Sequence, residues 1–140
     1  MKIVVLKFGG TSVGTTEKIK NVANIISEYK KKKYNVIVVS SAMSGVTNDL
    51  VNKSKKISED FSDSEYDVLV SSGEQVACSL IAGRLIHKGL KARSWLAWQI
   101  PIVTRSGHKQ SKIYSINKNK INKFLKEGGI PVIAGFQGIN

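Results

Sequence analysis

Residues 2–14 read KIVVLKFGGTSVG, and this stretch decides the fold. Residues 3–6 form a short apolar run rich in β-branched side chains, which predicts a fully buried strand. Gly9 and Gly10 predict a tight turn after it, and a helical pattern begins a few residues later. A strand, a glycine turn and a helix bring backbone N–H groups and a helix N-terminus to a place where an anion can bind. Lys7 adds a positive charge at the carboxyl end of the strand.

The glycine pair by itself leaves two interpretations open. Without Cβ atoms, Gly9 and Gly10 would let a phosphate approach the backbone closely. An ordinary strand-to-helix turn beside a solvated lysine would show the same residues. Neither the P-loop pattern GxxxxGK[ST] nor the dinucleotide pattern GxGxxG occurs in the sequence, so the turn matches neither of these phosphate-binding motifs.

Size and composition predict one globular domain. The chain has 140 residues and a hydrophobic fraction of 41%, which is enough for a real core. No apolar segment approaches the roughly 18 residues of a membrane span. The first residues lead directly into a strand, so no secretory signal is expected. The single cysteine excludes an intrachain disulfide and favours a cytoplasmic location. Because no apolar segment is long enough to span a membrane, no membrane partner is expected.

The net charge of +12 permits anionic partners. Only three of the 22 basic residues are arginines, although base readout and planar phosphate binding favour arginine. The lysine run at residues 30–33 ends a predicted helix, where cations complement the helix dipole. A nucleic-acid partner is therefore disfavoured, although a non-catalytic anion- or nucleic-acid-binding module stays open as an alternative function.

A second buried strand is predicted at residues 36–39. The helix between the two strands starts at Thr15 or Thr16, either of which can cap it. Two buried strands joined by a helix form a βαβ unit with parallel strands. Because ligands gather at the carboxyl ends of parallel strands, the loops that begin at Lys7 and at Ser40 should share one edge of the sheet and face a common ligand.

Glu74 has a structural explanation as well as a functional one. Ser72 and Gln75 fit a capping box at the start of a helix that runs towards His87. Glu74 would then lie in the first turn, where the helix dipole favours a carboxylate. Cys78 follows in an apolar stretch and is expected to be a core residue.

The remaining elements are predicted from hydrophobic pattern and turn residues. One or two strands are expected within residues 91–104, interrupted by Pro101. Residues 105–111 predict a mobile polar loop in which His108 is not a metal ligand. An amphipathic helix at residues 117–127 and a buried strand at residues 130–136 complete the chain. No repeat or domain boundary interrupts it.

Four motifs together resemble the aspartate kinases of the amino-acid kinase family. They read KFGGTSVG, VVSSAMSGVTNDL, SSGEQ and PVIAGFQG, in that order. The resemblance implies a three-layer α/β/α sandwich with a mainly parallel sheet. It also implies that residues 1–140 are the N-terminal, amino-acid-binding half of a catalytic domain, without the nucleotide-binding lobe and regulatory domains that follow in the family.

The family transfers the γ-phosphoryl group of ATP to the side-chain carboxylate of L-aspartate and so makes 4-phospho-L-aspartate. This is the first step towards lysine, threonine, methionine and diaminopimelate. ATP with Mg²⁺ is the implied cofactor of the complete enzyme. The reaction depends on positioning and charge neutralisation, and the acceptor carboxylate is already ionised near neutral pH, so no general base is required.

Carried over by motif, the resemblance implies two sets of site residues. The ATP-phosphate set, with Lys7 also catalytic, is Lys7, Phe8, Gly9 and Gly10. The aspartate set is Ser41, Thr47 and Glu74, with Glu74 binding the α-amino group. No metal ligand is expected among the residues of this sequence.

Two departures from the family pattern affect the expected activity. The arginine that binds the substrate carboxylate, the metal-organising acid and the adenine pocket all belong to the half that is missing, so the chain is expected to be inactive alone. It would be a truncated product or one part of a split enzyme, joined by a C-terminal half or forming a homo-oligomer. In addition, Arg105 follows Thr104 where relatives commonly carry an acidic residue. Another amino-acid kinase activity is the alternative within enzymes.

Overall fold

A computed structural model describes residues 2–105, 107–109 and 111–139. Strands and helices alternate along most of the chain, as the sequence predicts for an α/β protein. The elements in chain order are β1 (Ile3–Phe8), α1 (Thr16–Lys31), β2 (Asn35–Ser40), α2 (Val46–Ile57), α3 (Asp63–His87), β3 (Ala92–Trp95), β4 (Ile102–Arg105), β5 (Lys112–Ile116), α4 (Asn119–Lys126) and β6 (Ile130–Ala134).

Four strands form a parallel sheet in the order β1-β2-β6-β3. In the register of this sheet, Phe8 lies opposite Ser40 and Ser40 lies opposite Ala134. The last residues of β1, β2 and β6 therefore lie side by side. This arrangement confirms the mainly parallel sheet and fixes the edge at which a ligand would be sought.

Helices cover both faces of the sheet. On one face, α1 and α3 bury a cluster that includes Ile26, Ile81 and Leu85 against the strands. On the other face, α4 places Ile121 and Leu125 in a second cluster with Trp95. The alternation of side chains along each strand supplies both clusters. The predicted three-layer α/β/α arrangement is confirmed.

The predicted helix starts are correct for α1 and wrong for α3. Thr15 caps α1, because its hydroxyl accepts a hydrogen bond of 3.2 Å from the Lys18 N–H. In contrast, α3 begins at Asp63, nine residues before the predicted capping box. The hydroxyl of Ser72 instead donates to the carbonyl of Leu69 at 2.6 Å, a bond that a serine inside a helix can make. Glu74 consequently lies in the middle of a long helix.

An antiparallel hairpin of β4 and β5 projects from the sheet. No strand is predicted from the sequence at β5, and every residue of that strand is exposed. The residues between the strands were predicted to be a mobile polar loop in which His108 is not a metal ligand. The structure places His108 Nδ1 2.8 Å from Asp67 Oδ2 of α3. Ser106 and Gln110, which belong to the same predicted loop, lie outside the described residues.

In the part of the chain that the structure describes, no helix is both long enough and apolar enough to span a bilayer.

Candidate functional site

Three strand ends meet at one edge of the sheet. The Ser41 N–H donates to the Phe8 carbonyl at 3.0 Å, which joins the end of β2 to the end of β1. The Gly135 N–H donates to the Ser40 carbonyl at 3.0 Å, which joins the end of β6 to the same place. The predicted juxtaposition of the loops after Lys7 and after Ser40 is therefore confirmed.

The two glycines of the first turn have different surroundings. A Cβ atom on Gly10 would lie 3.0 Å from the Ala42 carbonyl oxygen, so the missing side chain lets the first loop pack on the second. A Cβ atom on Gly9 would meet nothing within 4 Å. The backbone at Gly9 is therefore open to a ligand, whereas Gly10 has a packing role of its own.

The loop after β2 exposes hydroxyl groups on the same side. Ser41 is half-buried directly after the strand, and Thr47 is exposed in the first turn of α2. Gly45 begins that helix with a φ of 83°, a left-handed conformation that glycine adopts without strain. Hydroxyls beside the N-terminus of a helix can donate to an anionic group together with the helix N–H groups.

Close packing of α3 brings Glu74 to this edge. Gly73, the preceding residue, has no room for a side chain, because a Cβ there would lie 3.0 Å from Val46 Cγ1 and 3.1 Å from Ala42 Cβ. The helix backbone consequently approaches both α2 and the loop after β2. A glycine within a helical pattern is the sequence signal for such an approach, but the sequence analysis did not assign Gly73 this role.

The Glu74 carboxylate is buried at the meeting point of the strand ends. Its Oε2 atom has no hydrogen-bond partner among the described residues, and a Cβ on Gly135 would come within 2.7 Å of it. Burial raises the pKa of Glu74, while the Ala42 and Gly135 amides and the charge of Lys7 act in the opposite direction. A buried, unsatisfied oxygen of this kind needs an explanation, and a cationic ligand would supply one.

The arrangement can therefore hold a zwitterion next to an anion. Glu74 offers a partner to an ammonium group, and the hydroxyls of Ser41 and Thr47 offer donors to a carboxylate. Lys7 is exposed at the end of β1 and carries the positive charge that a phosphate or carboxylate requires. Within the described residues, no group of three or more His, Cys, Asp or Glu side chains could hold a metal ion.

The chain belongs to the amino acid kinase family, whose model matches residues 2–140. Among its relatives, the aspartokinase of Rickettsia bellii is 46% identical over 143 residues, a match that covers 100% of this chain and 35% of the relative. The aspartokinase of Geobacillus stearothermophilus is 47% identical over 139 residues, covering 99% of this chain and 34% of the relative.

Solved structures agree with the sequence comparison. The crystal structure of aspartate kinase from Synechocystis superposes with a TM-score of 0.82 at 37% identity, covering 100% of this chain and 22% of that one. Aspartokinase III of E. coli, solved with aspartate and ADP, superposes with a TM-score of 0.75 at 19% identity, covering 95% of this chain and 40% of that one, and supports the fold. The chain spans about a third of the length of the curated relatives it matches.

Proposed function

We propose that this chain is the amino-acid-binding half of an aspartate kinase, the enzyme that transfers the γ-phosphoryl group of ATP to the side-chain carboxylate of L-aspartate. The product, 4-phospho-L-aspartate, would enter the synthesis of lysine, threonine and methionine in the cytoplasm. The observation that carries the proposal is the buried, unpartnered Oε2 of Glu74 at the junction of three strand ends, close enough to Lys7 for that charge to affect its pKa.

Each proposed residue has a role that its surroundings support. Glu74 accepts a hydrogen bond from the α-ammonium group of aspartate, because its buried Oε2 has no hydrogen-bond partner of good geometry among the described residues, even though the Ala42 and Gly135 amides lie near enough to lower its pKa. Ser41 and Thr47 donate to a carboxylate of the substrate. Lys7 stabilises the charge of the transferring phosphoryl group, and the open backbone at Gly9 lets that group approach. Phosphoryl transfer depends on such positioning and charge neutralisation.

The nucleotide has only part of its site here. Phe8, Gly9 and Gly10 would contact its terminal phosphates, and the Mg²⁺ that accompanies ATP would neutralise phosphate charge. The described residues include no cluster suited to a metal, so the ligands for Mg²⁺ would come from the nucleotide and from protein outside this chain. We therefore expect the 140-residue chain alone to bind aspartate but not to turn it over.

A ligand comparison tests the role of Glu74 directly. Calorimetry should show that the chain prefers L-aspartate to succinate, which has the two carboxylates but lacks the ammonium group. Glu74→Gln should weaken aspartate binding by about tenfold or more, since a hydrogen bond to a charged group is worth about 1.5–3 kcal/mol, and should leave succinate unaffected. Equal binding of aspartate and succinate by the unaltered chain would exclude this role.

A coupled assay tests the reaction. The chain with ATP and L-aspartate should give no turnover. Addition of a polypeptide that corresponds to the remaining two thirds of an aspartokinase should restore activity, and Lys7→Ala should then abolish it. Turnover by the 140-residue chain alone would refute the claim of inactivity. Phosphorylation of a different carboxylate acceptor in preference to aspartate would assign the chain to another amino-acid kinase activity.

A further inference from the structure

A second cavity lies between the first turns of α3, the β4–β5 hairpin and the segment that follows β6. Its volume is about 520 Å³, within the usual range for small-molecule sites. None of the proposed aspartate or phosphate residues lines it. It is bounded by α3, by the segment between β3 and β4, by the hairpin and by the segment after β6.

The cavity collects exposed apolar side chains from four different parts of the chain. Each leaves more than half of its surface in contact with solvent; they are Val68, Trp98, Ile113 and Phe136. Scattered apolar residues on a surface need no explanation, but four that line one concave site do. Two of them are aromatic, so the cavity favours a ligand with an aromatic or branched apolar body.

The backbone that presents Phe136 is held in an uncommon conformation. Phe136 has a φ of 47°, in the left-handed region that bulky residues seldom adopt. The side-chain amide of the next residue, Gln137, makes two hydrogen bonds that fix this segment. Its Oε1 accepts from the Ala97 N–H at 2.9 Å, and its Nε2 donates to the Ala134 carbonyl at 2.7 Å. Strain that the surroundings maintain in this way is typical of ligand sites.

The wall formed by α3 is acidic. Residues 57–83 contain no lysine or arginine, although the chain has 22 such residues, and they contain six of its ten acidic residues. Two of the acids are already engaged by the hairpin: Asp67 contacts His108 Nδ1 at 2.8 Å, and Asp63 forms an ion pair with Lys109. Glu65 also lines the cavity and takes part in none of the ion pairs between described residues.

We propose that this cavity binds an organic cation that carries an aromatic or branched apolar body. The body would contact Trp98, Phe136 and Val68, while the cationic group would lie near Glu65. The face of Trp98 would add a cation–π attraction, which is strongest for tryptophan among the aromatic residues. This site shares no lining residue with the proposed aspartate site, although Phe136 directly follows Gly135, which approaches Glu74.

The two tryptophans of the chain make the site accessible to fluorescence. Trp98 is exposed in the cavity, whereas Trp95 is buried in the core, so a ligand in the cavity would change the emission of Trp98. Phenethylamine and 3-phenylpropionate are matched probes that share a phenyl body and carry opposite charges. Phenethylamine should change the emission saturably, with a Kd on the order of 1 mM for so small a ligand, and 3-phenylpropionate should not.

Two pairs of exposed variants locate the binding. Val68→Ser removes an apolar wall residue, and Val76→Ser is its control because it changes an exposed valine of the same helix outside the cavity. Glu65→Gln removes the proposed partner of the cation, and Glu59→Gln is its control outside the cavity. Val68→Ser and Glu65→Gln should each weaken phenethylamine binding about threefold to fivefold, and the two controls should leave it unchanged.

Several outcomes would overturn the proposal. Emission that changes linearly up to about 10 mM phenethylamine would show that no site of the expected affinity exists. Equal binding of the two probes would show that the cavity does not select a cation. Binding that Val68→Ser and Glu65→Gln leave intact would place the ligand elsewhere. Far-UV circular dichroism confirms that each variant is folded, and all four substitutions are at exposed positions.

Discussion

Glu74 carries the strongest local signal in the chain because its side chain is buried while one oxygen lacks a partner. Burial raises its pKa above the ordinary value of 4.5. Groups whose pKa is shifted by desolvation near a ligand-binding edge are candidates for functional residues. The same shift has a consequence for stability that does not require any ligand.

Glu74→Gln should remove a pH-dependent loss of stability. As the pH rises above 4.5, the carboxyl ionises first in the unfolded chain, because its pKa is higher in the folded protein. The unfolded state therefore binds fewer protons, and the free energy of unfolding falls until the pH exceeds the raised pKa. Glutamine does not titrate, so the variant should gain stability relative to the natural chain between pH 4.5 and pH 7. Urea unfolding across that pH range measures the free energy of unfolding of both proteins. The prediction would be wrong if the two free energies changed with pH in parallel.

Cys78 should react slowly with thiol reagents despite being the single cysteine. Burial, and to a smaller extent the charge of Glu74, raises the pKa of its thiol to about 11. Almost no thiolate is present at pH 8, and the thiolate is the reactive form. Alkylation by iodoacetamide at pH 8 should be at least tenfold slower than in the urea-unfolded chain. Equal rates in the two states would show that Cys78 is accessible and its pKa ordinary.

At the scale of elements, α3 has to pass close to α2 for Glu74 to reach the strand ends. The helix contains two glycines with opposite surroundings. A Cβ on Gly73 would press on Val46 and Ala42 of the neighbouring segments, whereas a Cβ on Gly83 would meet nothing within 4 Å. Gly73 and Gly83 can therefore serve as a test position and its control within one helix.

Gly73→Ala should destabilise the protein and Gly83→Ala should stabilise it. Alanine in a helix is favoured over glycine by about 0.5–1 kcal/mol, and Gly83→Ala should gain this amount. Gly73→Ala gains it too, but overpacking costs about 1–3 kcal/mol, so the net effect should be a loss of about 1 kcal/mol. Chemical denaturation of the two variants measures the difference. A gain for both would show that α3 does not depend on close packing at Gly73.

At the scale of the whole molecule, the sheet has an unprotected edge at β1. This strand pairs with β2 on one side, and Ile3 and Val5 are 55% and 57% exposed. An exposed apolar edge strand is a template for pairing with another chain. Additional strands could also pair with β1 along this edge.

Val5→Lys should therefore reduce self-association without unfolding the chain. A lysine on an edge strand opposes edge-to-edge pairing. Ile57→Lys is the matched control, because Ile57 is 78% exposed at the end of α2 and lies outside the sheet. Sedimentation over a range of protein concentrations should show a lower association tendency for Val5→Lys alone. The same reduction in both variants would mean that general charge, and not the edge, is responsible.

The sequence predicted the strands of the parallel sheet and the edge of the sheet where they meet, but not β5 of the hairpin. Parallel strands appear as short apolar runs, and β1, β2 and β6 all do. The predicted full burial of residues 3–6 was wrong, because β1 lies at the edge of the sheet and leaves Ile3 and Val5 exposed. The resemblance of the motifs to a family predicted four of the site residues, namely Lys7, Ser41, Thr47 and Glu74. The predicted capping box before Glu74 was wrong, because Ser72 and Gln75 are compatible with a helix start as well as with a helix interior. Packing against α2 decided between these two possibilities.

Local order along the chain was thus determined by the sequence itself, since hydrophobic period and glycine positions act over a few neighbouring residues. Tertiary structure alone decided that Gly73 packs against Val46 and Ala42 and that Gly135 approaches Glu74. It also decided that the hairpin reaches α3 through His108 and Asp67. Contacts between residues 41 positions apart depend on how whole elements pack. The residue pattern of one helix or strand does not determine the distance between that element and another.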